Sequence, residues 1–291
     1  MALQERQFSM DGYVFGLPSD EVMLLENGLD VGGYDIRSQD RERSSGDGVF
    51  FGRDFHTPPT WTFKLGVKAI DGDVMGALRR LGAVWRGDRF RGVPGAYTAL
   101  SYRLGGQERV VYGRPRRFFA DPDPTWQSDW KMVTADFRLM DSRSYGPLRS
   151  LTLDLVSTAS VGGLVFPAQF PWSFSPTEAV RSGAVVVDST IGSPFVVKIA
   201  GPVSGTASNF RISSTGWSFK LDTYLAPAGN IVIDTATGVA TRNSSVFGAA
   251  SAVTDWRAEL RPGPQEVLFS ADDPTASSTA TIEWREAAST Y

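Results

Sequence analysis

His56 is the single histidine among the 291 residues, and there is no cysteine. A Ser-His-Asp relay would need His56 as its base. It stands between Phe55 and Thr57-Pro58-Pro59, a turn context, and no G-x-S-x-G elbow occurs in the chain. The lack of cysteine excludes disulfides, thiolate metal sites and cysteine nucleophiles. One histidine is too few for a structural zinc site. The stretch GDGVFFG, Gly46–Gly52, has neither the dinucleotide spacing nor a P-loop lysine, so it makes no phosphate cradle. Acidic turns at Asp121–Asp123, Asp234 and Asp272–Asp273 lack EF-hand spacing and read as ordinary turn aspartates. A carboxylate pair for glycoside hydrolysis would be drawn from distant strands, and nothing in the sequence nominates one. The sequence therefore assigns no catalytic residue, no metal ligand and no cofactor.

The charged residues that do stand out suit contact rather than catalysis. Arg79, Arg80, Arg86, Arg89, Arg91, Arg103, Arg109, Arg114, Arg116 and Arg117 crowd one region with few acids. Arginine favours bidentate pairing with carboxylate or phosphate. Three readings are open: a subunit contact meeting acidic patches of an identical neighbour, a nucleic-acid groove, and a solvated face. The second cluster is SQDRERSSGDG, Ser38–Gly48, where Asp40, Arg41, Glu42 and Arg43 alternate in sign. It reads as a long polar loop, either a mobile tip or an arm that orders on a partner. The alternation of sign favours the arm.

The elements that must carry these residues are mostly strands. Trp61, Phe63, Leu65, Val67 and Ala69 share one face of a strand. A helix follows, with Asp71 or Asp73 as cap, Val74, Ala77, Leu78, Leu81 and Trp85 at helical spacing, and Gly87 as its end. Strands are expected at Tyr97–Leu104, Arg109–Tyr112, Lys131–Met140 and Leu151–Val156. In the second half, Phe195/Val197/Ile199, Trp217/Phe219/Leu221, Ile231/Ile233 and Ile282/Trp284 alternate between regular turn signals, which indicates a β-sandwich. Asn230–Asp234 and the residues after Gly238 read as a hairpin. Trp217 and Trp284, on apolar faces, are expected in the core.

Between the halves lies GGLVFPAQFPWSFSP, Gly162–Pro176. Leu164, Phe166, Ala168, Phe170, Trp172 and Phe174 alternate with Pro167 and Pro171, so one backbone edge loses two donors. Such a segment is either an edge strand within one domain or a strap joining two domains or subunits; its greasy face favours the strap. Charged residues make up 21% of the chain and the net charge is -3, so no global bias points to nucleic acid or membrane. No apolar run approaches the length of a membrane span, so no membrane insertion is expected. MALQERQFSM has no apolar core, so no secretion signal is read. A protein made and used in solution is expected, unless an assembly machine carries it elsewhere.

Taken in order, these segments resemble the distal tail proteins, the Dit-type minor tail proteins of long-tailed bacteriophages, particularly those infecting actinobacteria. The resemblance rests on DRERSSGDG at Asp40–Gly48 followed by Trp61–Ala69 and the helix, on GGLVFPAQFPWSF at Gly162–Phe174, and on IAGPVSGTASNFRI (Ile199–Ile212) with LAPAGNIVIDTATGVA (Leu225–Ala240). It implies a mainly β protein in three parts. Residues 1–161 would form a tail-tube-like, ring-forming β-sandwich or split barrel with one α-helix. Residues 162–176 would be an extended inter-domain strap, and residues 177–291 a galectin-like β-sandwich. It further implies a structural virion protein without enzymatic activity, made in the host cytoplasm and built into the tail tip as a homo-hexameric ring. That ring would join the tail tube protein to the tail hub or tail-associated lysin, with contact to the tape measure protein or passing DNA. Asp40, Arg41, Glu42, Arg43, Arg114, Arg116, Arg117, Phe166, Phe170 and Trp172 are the expected interface residues. The alternative function is a carbohydrate-binding adhesin contacting the host surface.

Overall fold

The structure is a computed structural model that describes residues 2–33, 35–68, 73–121, 130–157, 182–246, 250–253, 256–273 and 275–290. The chain is mainly β and divides into two compact units, Met1–Gly146 with Ala288–Tyr291, and Pro147–Ala287. The expected strap, Gly162–Pro176, lies outside the described residues, and Phe166, Phe170 and Trp172 with it.

The first unit begins with β1 (Phe8–Met10), β2 (Tyr13–Phe15) and β3 (Val22–Asp30). Four short strands follow: β4 (Ile36–Arg37), β5 (Arg41–Glu42), β6 (Val49–Phe50) and β7 (Phe55–His56). Then come β8 (Thr60–Lys68), α1 (Val74–Arg86), α2 (Asp88–Arg91), β9 (Thr98–Leu104), β10 (Gln107–Ala120), β11 (Trp130–Leu139) and β12 (Arg143–Asp154), whose last eight residues belong to the second unit. The long strands pair antiparallel in the order β2-β1-β9-β10-β11-β8-β3. Gly16 N–H donates to the Val22 carbonyl and Leu24 N–H to the Gly16 carbonyl, so the end of β2 meets β3 and the strands run round to their start.

Two features of β10 make this closure work. Residues 107–113 pair with β9, and residues 113–120 pair with β11. The exchange happens at Gly113, where a Cβ would stand 2.2 Å from the Arg138 carbonyl oxygen. Just beyond, Pro115 faces Phe137 and Phe118 faces Ala135, so Arg116 and Arg117 together oppose one residue. That is a β-bulge, which bends its strand and sharpens the twist. The sequence suggests only a short strand at Arg109–Tyr112. The real strand is longer because the bulge breaks the alternation that would reveal it.

The helix is as expected in place and polarity. Asp73 caps it, Oδ1 accepting from Gly76 N–H at 2.7 Å, and Gly87 ends it at φ 60°. Val74, Ala77, Leu81 and Trp85 are buried. Ala77, Leu81 and Trp85 meet Trp61, Phe63, Leu65 and Val67 of β8 and Val133, Ala135 and Phe137 of β11. Trp85 Nε1 donates to the Asp136 carbonyl at 3.0 Å. Aromatic rings fill the centre: Phe8 lies 5.3 Å from Phe63 and Trp61 5.1 Å from Tyr102, edge to face. The four-residue α2 is a second helix that periodicity does not show; it turns on Gly87 and buries Phe90.

The second unit continues with β13 (Val156–Ser157), β14 (Ser182–Val187), β15 (Phe195–Ala200), β16 (Ala207–Ser214), β17 (Trp217–Leu225) and β18 (Asn230–Asp234). It ends with β19 (Val239–Arg242), β20 (Ser245–Val246), β21 (Ala250–Val253), β22 (Gly263–Asp272) and β23 (Thr279–Ser289). One sheet runs β12-β23-β15-β18-β19-β20; the other runs β22-β16-β17-β21, with β13 and β14 on the outer edge of β22. Val197, Ile199, Ile231, Ile233, Ile282 and Trp284 from the first meet Phe210, Ile212, Trp217, Phe219, Leu221, Val267 and Phe269 from the second. This is the expected sandwich. The hairpin of β18 and β19 turns as read, with Gly238 N–H donating to the Asp234 carbonyl at 2.9 Å.

Candidate assembly interface

Asp40, Arg41, Glu42 and Arg43 fall not in a plain loop but in a two-step antiparallel ribbon. Ile36 pairs with His56 and Arg37 with Phe55; further out, Arg41 pairs with Phe50 and Glu42 with Val49. Between the steps, Gln39 N–H donates to the Arg53 carbonyl at 3.1 Å. Asp40 Oδ1 accepts from Gly52 N–H at 2.8 Å. Asp40 thus serves the ribbon itself. Arg43 lies over the Phe50 ring at 5.2 Å and Arg37 over Phe55 at 5.3 Å. Each such cation–π contact is worth about 0.5–1 kcal/mol at an exposed site. Every described residue from 35 to 56 is exposed. The ribbon carries Phe51 at 90% exposure, Phe50 at 61% and Ile36 at 58%. In the sequence GDGVFFG offers no phosphate cradle, and Phe50 and Phe51 within it carry the ribbon's apolar surface. Their signal was the apolar run Val49-Phe50-Phe51 set directly after the eleven polar or glycine residues of Ser38–Gly48.

The arginines do not act together. Arg114 donates to the carbonyls of Ala96 and Val93, fixing the turn before β9 to β10. Arg109 Nε donates to Ser144 Oγ at 2.9 Å, and Arg103 reaches the Leu3 carbonyl. Arg86 pairs with Asp88 and Arg89 with Asp11. Arg80 pairs with Glu21, and the hydrogen bond from Arg80 holds the Glu21 carboxyl below its usual range. Tyr13 donates to Glu21 Oε2 at 3.1 Å. Burial first, and the Glu21 charge second, push the Tyr13 hydroxyl above its ordinary value. Arg116 and Arg117 are exposed on the bulge, Arg117 with its guanidinium 5.6 Å from the Phe119 ring. The structure therefore separates the described interface candidates into the ribbon, the bulge, and the half-buried Arg114, which bonds the carbonyls of Val93 and Ala96.

In the second unit a cleft of about 420 Å³ is lined by Trp217, Arg257, Glu259 and Arg261 among others. Trp217 is 4% exposed and Trp284 6%, so both are core residues, and Trp217 offers no open ring on which a sugar could stack. Among the described residues no group of three or more His, Asp or Glu side chains is placed to hold a metal ion. Among the same residues no helix is long and apolar enough to cross a membrane.

Comparison with solved structures decides the fold. The Dit protein of phage SPP1, described as a paradigm of the hub adsorption apparatus in phages infecting Gram-positive bacteria, superposes with a TM-score of 0.59 over 97% of this chain and 98% of its own, at 12% identity. The chain has the Dit fold. Chains of the phage P2 baseplate in its activated conformation match too: with calcium at a TM-score of 0.51 over 96% of this chain and 98% of theirs, and with strontium at 0.50 over 95% and 97%, each at 12% identity. No protein-family model matches the sequence, and a search of curated proteins finds no significant relative. At 12% identity the likeness is one of fold.

Proposed function

We propose that this chain is a structural virion protein of a phage tail tip. It would form a hexameric ring that joins the tail tube to the baseplate hub or tail-associated lysin. The observation that carries the reading is the Dit fold over the whole chain, both units included. On this reading the first unit is the ring-forming, tail-tube-like domain, and the second is a galectin-like sandwich. The partners are further copies of the chain, the tube protein and the hub, and the place of action is the virion tail tip. No catalytic residue is assigned, and the role is one of scaffolding. A fold alone does not confer sugar binding, and burial of Trp217 weighs against the adhesin alternative. The test is antibody-gold labelling of intact particles. Label at the distal end of the tail supports the proposal; label on the capsid, along the tube, or absent from the particle refutes it.

A further inference from the structure

In the second unit, Ala258 and Leu260 are buried, and the alternation sets Arg257, Glu259 and Arg261 along the cleft of about 420 Å³. The backbone of this segment is fixed. Leu260 N–H donates to the Ser193 carbonyl at 2.8 Å, and Ser193 N–H donates back to the Leu260 carbonyl at 2.9 Å. The buried Ser193 hydroxyl accepts from Ala287 N–H at 2.9 Å, and Gln265 Nε2 donates to the Arg261 carbonyl. Glycines make room for the charged heads. A Cβ on Gly216, at φ 94°, would stand 3.1 Å from a terminal nitrogen of Arg261, and one on Gly192 would run into the Glu259 carboxylate. Among the described residues no ion pair or hydrogen bond takes up the Arg261 guanidinium. Trp217 belongs to the same lining, and its Nε1–H is buried without an acceptor. A buried donor left unpaired is a standing cost.

We infer that this cleft binds a small ligand bearing an acidic group, phosphate or carboxylate, with a hydroxyl beside it. Its volume falls within the range of about 300–1,000 Å³ usual for small-molecule sites. Arg257 and Arg261 against Glu259 leave the lining net positive. The arginine fork matches the paired oxygens of a phosphate or carboxylate, and bonds of that kind are about twice as strong as neutral ones. Glu259 decides what stands next to the acid. A bare anion is repelled by a carboxylate in the lining. An ionised carboxylate only accepts, and has room for several donors, so a hydroxyl on the ligand suits it. Ring stacking plays no part, because Trp217 is a core residue. Recognition is by charge and hydrogen bonds, and it works in the single chain whether or not copies assemble.

The experiment is isothermal titration calorimetry on the purified full chain at fixed ionic strength. The probes are glycerol 3-phosphate and glycerate, with methyl phosphate and propionate as their counterparts without a hydroxyl. Saturable binding of glycerol 3-phosphate or glycerate is expected with a Kd of about 1 mM or tighter. The tighter of the two shows whether phosphate or carboxylate is the acidic group. Arg261→Gln should weaken binding at least about 10-fold, the worth of one charge-assisted hydrogen bond. It should melt at the wild-type temperature, since Arg261 is exposed. Arg116→Gln, at an exposed arginine of the first unit, should bind as the wild type does. Failure of both glycerol 3-phosphate and glycerate to saturate the chain by about 10 mM overturns the site. Arg261→Gln binding as tightly as the wild type overturns it too. An equal loss in Arg116→Gln does the same, because the attraction would then be one of overall charge. Methyl phosphate and propionate binding as tightly as their hydroxyl-bearing counterparts overturns the part given to Glu259.

Discussion

Replacing Asp273 by Asn should destabilise the second unit by an amount that depends on pH in a defined way. Asp273 sits in the connection from β22 to β23, which links the two sheets of the sandwich, and is 3% exposed. Its Oδ1 accepts from Thr275 N–H at 2.8 Å and Thr275 Oγ1 at 2.7 Å. Its Oδ2 accepts from Ser277 N–H at 3.0 Å, Ser278 N–H at 2.9 Å and Ser278 Oγ at 2.8 Å. Burial alone would raise its pKa; the donors from Thr275 and Ser278 outweigh burial and bring it from 3.8 to about 2. A drop of that size corresponds to about 2.5 kcal/mol of folding stability. Because the folded-state value is the lower one, this contribution is complete above about pH 4 and is lost as pH falls through about 2. The assay is urea unfolding read by pulsed amide exchange on peptides of β22 and β23, which isolates this unit from the other. Asn keeps the shape but removes the charge. The variant should therefore trail the wild type by about 2 kcal/mol at pH 7, and the two curves should converge near pH 2. A deficit that stays constant across that range, or none at pH 7, would show that the carboxylate charge does not hold the connection.

Gly113→Val places a side chain against the Arg138 carbonyl where not even a Cβ fits. A loss of about 3 kcal/mol or more is expected in thermal melts of the first unit, and an unchanged melt would mean that β10 can change partners elsewhere. Trp85→Phe removes the donor to the Asp136 carbonyl and part of the ring cluster around Phe15 and Phe63. We expect a loss of about 1–3 kcal/mol by denaturant titration, with a neutral result arguing that α1 does not rely on that anchor.

Strong local patterns carried the sequence reading. The alternation of β8, the capped and glycine-ended α1 and the hairpin of β18 and β19 each follow from residues within one or two turns of chain. So does the burial of Trp217 and Trp284. The failures have a common physical form. In β10, Pro115 and the bulged Arg116-Arg117 interrupt period two, so a 14-residue strand shows itself for only four residues. In the ribbon, steps of two residues are too short to give any period, so its paired strands look like a polar loop in the sequence. The arginines looked like one patch because sequence shows like charges together and hides their partners. Glu21 lies 59 residues from Arg80, and Asp11 lies 78 from Arg89. Long-range pairing of that sort is set by the fold, so only the fold could show that Arg114 bonds the Val93 and Ala96 carbonyls while residues 35–56 lie exposed.

Assembly is measured most directly by the mass of the particle formed with purified tail tube and hub proteins. Sedimentation equilibrium should find six copies of the 31.6 kDa chain in the complex. A single 31.6 kDa species at every concentration, with both partners present, would contradict it.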